Sequence, residues 1–128
     1  MTLESQVVSL SLAKKLKELG AEQESIYFWR VPNDTKREKN AGAYLMRADQ
    51  NIAETKFFDY YAAFTVAELE YMLIGDGELI VSHFSGEWQV QVVGKGQVYS
   101  SLPADSRAKM LIYLLENKLL STPSMKVD

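Results

Sequence analysis

Proton-transfer chemistry in this chain has one obvious carrier, since it holds a single histidine, His83, and no cysteine. An imidazole exchanges a proton near neutrality, and general acid–base work by it requires a carboxylate or an activated hydroxyl within hydrogen-bond reach. Ser82 and Ser85 are near in sequence, but strand alternation sends Ser82 to the opposite face, and the hairpin register described below sets His83 against Trp88. The expectation is a packed imidazole beside an indole. A small enzyme using His83 with nearby carboxylates is the alternative. Composition removes disulfides, thiolate catalysis and thiolate zinc sites together. Asp76-Gly77-Glu78 lacks the ligand series of a calcium loop, and neither Gly75-Asp76-Gly77 nor Gly94-Lys95-Gly96 has a phosphate-loop layout. No catalytic set, metal or cofactor is expected.

Binding has more to work with. Phe57, Phe58, Tyr60, Tyr61 and Phe64, with Tyr27, Phe28 and Trp29, are large rings of the kind that anchor interfaces and fill cores. Alternation turns about half of each strand inward, which leaves Tyr27, Trp29, Tyr60 and Tyr61 as the expected exposed binding set. Lys36, Arg37 and Lys39 beside such rings would make a weak single-stranded nucleic-acid binder. Against that stand a net charge of −3 and the stretch Phe57–Gly94, which carries six acids and no Lys or Arg and would repel phosphate. Nucleic acid is not the expected partner.

The elements that position these residues follow from periodicity. Val8, Leu12, Leu16 and Leu19 recur at helical spacing between a Ser9 or Ser11 cap and Gly20, giving an amphipathic first helix. Ser25–Val31 reads as a strand stopped by Pro32, with Ile26, Phe28 and Arg30 on one face and Tyr27, Trp29 and Val31 on the other. Residues 32–42 form a polar loop, and Ala43–Met46 a short strand. Thr65 and Glu68 make a capping box that opens a helix over Val66–Ile74, ended by Gly75. The two-residue turn Ser85-Gly86 joins Leu79–Phe84 to Glu87–Val93 in a hairpin and pairs Phe84 with Glu87, His83 with Trp88, Val81 with Val90 and Leu79 with Val92. Leu79, Val81, His83, Trp88, Val90 and Val92 then share one face, which is expected to be covered. Gln97–Ser100 adds a third strand.

Pro103 and Asn117 bracket a last helix with two apolar stripes. Ala108, Leu111, Ile112 and Leu115 form one, and Met110, Tyr113 and Leu114 the other. A helix with two apolar stripes is either sunk deep in its own fold or shared with another subunit, and the expectation is a homodimer with Met110, Tyr113 and Leu114 at its interface. The class is α+β: an antiparallel sheet of three to five strands with the N- and C-terminal helices packed on one face. One domain spans 1–120, and 121–128 form an aperiodic, disordered tail. The N-terminus lacks a secretory layout and no apolar run is long enough to span a bilayer, so a cytoplasmic protein with no membrane contact is expected.

The strings S-L-S-L-A-K-K-L-K-E-L-G (Ser9–Gly20), S-I-Y-F-W (Ser25–Trp29), T-V-A-E-L (Thr65–Leu69) and A-K-M-L-I-Y-L-L-E-N-K-L-L (Ala108–Leu120) resemble a family of small hypothetical proteins encoded by bacterial phages and prophages. The chain departs from that pattern around Phe57–Phe64, where family members have a shorter and less aromatic lead. The resemblance implies a genomic setting and no mechanism. The expected function is that of a non-enzymatic accessory protein that binds another macromolecule, a protein partner or itself.

Overall fold

Ser9 takes the N-cap position of helix α1 (Leu10–Glu18) in extended backbone without a capping bond from its hydroxyl, and Gly20, at φ +92°, turns the chain out of the helix as the sequence indicates. The computed structural model describes residues 2–33, 42–48 and 58–120. A short 3-10 turn (Leu3–Gln6) precedes α1, and six strands and two further helices follow. The strands are β1 (Tyr27–Pro32), β2 (Tyr44–Arg47), β3 (Phe58–Ala62), β4 (Leu79–Phe84), β5 (Glu87–Val92) and β6 (Gly96–Ser100). Helix α2 (Val66–Ile74) lies between β3 and β4, and α3 (Pro103–Glu116) follows β6. The basic loop residues Lys36, Arg37 and Lys39, the segment 49–56 and the tail 121–128 lie outside the described residues.

The α+β class holds, with the strands divided between two antiparallel sheets of order β2–β1–β3 and β4–β5–β6. In the second sheet the counted register is the observed one: Phe84 faces Glu87, His83 faces Trp88, Val81 faces Val90 and Leu79 faces Val92. Ser85 and Gly86 make the turn at φ 53° and 80°, the pair of left-handed residues that matches the twist of the flanking strands. α3 covers this sheet over β5 and β6, whereas α1 packs on α3 and on β3 of the first sheet.

One core joins the two sheets. Val8, Leu16, Phe64, Leu69, Leu73, Val90, Val92, Met110, Leu111 and Leu114 are fully buried in it. Its seams are polar. The Ser9 amide donates to Asp105 Oδ1 at 2.7 Å, tying the start of α1 to the first turn of α3, and the Val8 amide donates to the Phe64 carbonyl at 2.9 Å.

The dimer stripe needs correction. Met110 and Leu114 are completely buried within the chain, and only Tyr113, 38% exposed, reaches the surface. α3 is flanked by β5 and β6, by α2 and by α1, so both of its apolar stripes find partners in the same chain. Tyr113 is held against Gly96, where a Cβ would stand 2.6 Å from Tyr113 Cε2. Gly96→Ala is expected to lower stability by about 1–3 kcal/mol in urea unfolding, and adding Tyr113→Ala to recover part of that loss.

Candidate functional site

The first sheet gathers most of the aromatic residues singled out in the sequence. Arg30 pairs with Tyr44 on one side and Tyr60 on the other, Trp29 with Leu45 and Tyr61, and Tyr27 with Arg47. Pairing places Phe28, Arg30, Tyr44, Met46, Phe58, Tyr60 and Ala62 on one face and Tyr27, Trp29, Val31, Leu45, Arg47, Asp59 and Tyr61 on the other.

The four expected binding residues part ways. Trp29 is half-buried, and its indole N–H donates to the Val8 carbonyl at 2.8 Å, which makes it a structural strut rather than an exposed ring. Tyr60 is 9% exposed, so its ring is interior. Tyr61 is half-buried under α1, with Lys17 Nζ 5.0 Å and Lys14 Nζ 5.7 Å from its ring centroid. Of the four, only Tyr27 lines a groove.

Tyr27 walls two adjoining grooves. The larger, of about 420 Å³, runs between the 3-10 turn (Leu3, Gln6, Val7), the start of β1 (Ile26, Tyr27) and the first turn of α2 (Thr65, Val66, Ala67), and Pro103 closes it. A second, of about 220 Å³, continues past Leu3 and Tyr27 to Leu45, Met46 and Arg47 on β2. The volume of the first is within the range of binding clefts, and its lining is mainly apolar. Ile26, 59% exposed, and Leu3, 41% exposed, leave large aliphatic surface at the rim. Both were missed in the sequence, where Ile26 was placed on a strand face and Leu3 fell outside any element.

Glu68 sets the shape of this groove. Its carboxylate accepts from the Thr65 amide at 2.9 Å, the Ser25 hydroxyl at 2.8 Å and the Ile26 amide at 3.1 Å, and its own amide donates to Thr65 Oγ1 at 3.1 Å. The capping box read from Thr65 and Glu68 is therefore present, and the same side chain also pins the residues leading into β1 to the N-terminus of α2. Negative charge at that position also suits the helix dipole.

His83 requires a second correction. It stacks on Trp88, with ring centroids 4.4 Å apart and planes 28° from parallel, as the register demanded, yet it is exposed rather than covered. α3 lies over β5 and β6, so the hairpin end of β4 projects past its cover, and the adjacent Phe84 is 83% exposed. No side chain among the described residues hydrogen-bonds the imidazole, and His83 lines neither groove. Among the described residues no three acids or histidines converge on one point.

Electrostatics single out Tyr61. Burial pushes its phenol above the ordinary value, and the nearby Asp59 and Glu18 push it the same way. A phenol whose folded-state value is raised contributes stability that is present below its unfolded value and is lost as pH rises through the folded one. In an alkaline absorbance titration, Tyr61 is expected to ionise above the ordinary phenol range, and Tyr61→Phe to remove that late step.

No described helix is long and apolar enough to cross a membrane. No family model, curated protein or solved structure matches this chain.

Proposed function

We propose that this chain is a non-enzymatic accessory protein of the kind carried by phages and prophages, and that it holds an apolar segment of a partner protein in the groove walled by Tyr27. The observation carrying this reading is the exposed aliphatic rim, Ile26 and Leu3, around a mainly apolar cleft whose walls are fixed by Glu68. Such a cleft gains by covering apolar surface that water otherwise wets, at about 25 cal/mol per Å². A cytoplasmic host protein fits this reading, its apolar segment running on past Leu3 and Tyr27 into the second groove. Burial of Met110 and Leu114 favours a partner of different sequence over a second copy docked on α3. An exposed imidazole with no acid or hydroxyl bonded to it among the described residues favours binding over catalysis by His83.

The test is capture from induced host cells on the tagged full-length chain, with Ile26→Glu and Leu3→Glu as variants. Both residues are largely exposed, so unfolding curves should stay near those of the parent chain. Loss of the recovered protein in the variants is the expected result. Undiminished recovery with both substitutions in place would remove the groove from the function.

A further inference from the structure

Arg30 is the unusual cation of the first sheet. Its guanidinium carbon lies 3.6 Å from the centroid of Phe58 and 5.0 Å from that of Tyr44, so it is stacked on rings from both neighbouring strands. Arginine on an aromatic face keeps its charge at modest desolvation cost, but an ion pair is the usual companion of a half-buried guanidinium. Here no acid pairs with it among the described residues, and Asp59, the acid on the adjoining strand, belongs to the other face. The Arg30 Nε is buried and has no hydrogen-bond partner among the described residues.

Directly across the β1–β3 ladder, on the same face, stands Tyr60. Its side chain is more than nine-tenths buried, and its hydroxyl also has no hydrogen-bond partner among the described residues. Buried polar atoms are nearly always paired, so two unpaired donors on directly opposed residues are a coincidence that calls for a shared acceptor. A positive charge, a guanidinium N–H and a phenol O–H present donors, with no competing carboxylate among the described residues. An oxyanion can accept from all three, and a guanidinium lying over rings from both neighbouring strands still has the fork of N–H donors that carboxylate and phosphate oxygens accept.

We infer that Arg30 and Tyr60 form an oxyanion-binding site, taking the carboxylate or phosphate group of a ligand on the sheet face opposite Tyr27. Phe58 and Tyr44 orient the guanidinium and stay clear of the ligand's charge. The site is separate from the groove, and its existence does not depend on what the groove holds.

The experiment follows the Arg30 Nε–Hε cross-peak in ¹⁵N spectra of the full chain during titration with inorganic phosphate, with acetate, and with sodium chloride at matched ionic strength. A saturable shift with phosphate or acetate, absent with chloride, is the expected result, and the tighter of the two names the group. Tyr60→Phe should weaken that binding roughly tenfold, the loss of one hydrogen bond to a charged acceptor, while thermal stability without anion holds or rises because an unpaired hydroxyl has gone. Arg30→Gln should abolish the shifts at Tyr44 and Tyr60. Linear drift identical to that with chloride, or phosphate and acetate affinities untouched by Tyr60→Phe, would overturn the assignment.

Discussion

Replacing Arg107 with alanine is expected to cost about 3 kcal/mol in chemical denaturation, the largest single loss anticipated for a charged residue in this fold. Arg107 is 5% exposed, at the base of α3. Its Nε donates to Glu70 Oε2 at 2.9 Å, its Nη2 forms an ion pair with the same oxygen at 2.8 Å, and Nη1 donates to the Pro103 carbonyl at 2.9 Å. The guanidinium also lies 4.9 Å from the ring centroid of Trp88, which carries His83 in its stack. Alanine would remove the link between α2 and α3, strip Trp88 of a covering group and leave a hole where the stem packed. Glu70 is partly exposed and can regain water, which keeps the loss below that of a fully buried pair. Arg107→Met, which restores the stem without the charge, should recover about half. A loss under about 1 kcal/mol for Arg107→Ala would mean that the pair behaves as a solvated one.

Glu68→Ala comes next, at about 2–3 kcal/mol, because one carboxylate serves three donors on two elements. Thr65→Ala removes only the reciprocal cap and should cost about 1 kcal/mol. The difference between the two variants measures the tie from Glu68 to Ser25 and Ile26. Because that tie places Ile26 on the groove rim, Glu68→Ala should also loosen partner capture beyond what its stability loss explains. Equal losses in the two variants would show that the tie contributes nothing.

What could be read in the sequence was local. The hairpin register follows from a two-residue loop and period-two alternation, and the α2 start follows from a four-residue capping signal, so neither needs knowledge of distant contacts. β3 was not assigned, because F-F-D-Y-Y-A-A-F is a nearly continuous apolar run whose period is ambiguous. Alternation also states which residues share a face without stating what lies over it. That is why His83 fell on the expected face yet beyond the edge of α3, and why Tyr60 was expected outside and lies inside. The second stripe of α3 looked like an interface for the same reason: that α1 and α2 both pack on this helix is a long-range fact. Arg30 stood in plain view inside an aromatic strand, but that no acid among the described residues pairs with it is a property of the assembled sheet.

Hydrogen exchange on the full chain, alone and with its captured host protein, tests the binding claim most directly. Slowed exchange on complex formation is expected at residues 3–7, 26–27 and 66–67, the backbone around the larger groove. Slowing confined to the β4–β6 sheet, with those three segments exchanging as in the lone chain, would contradict it.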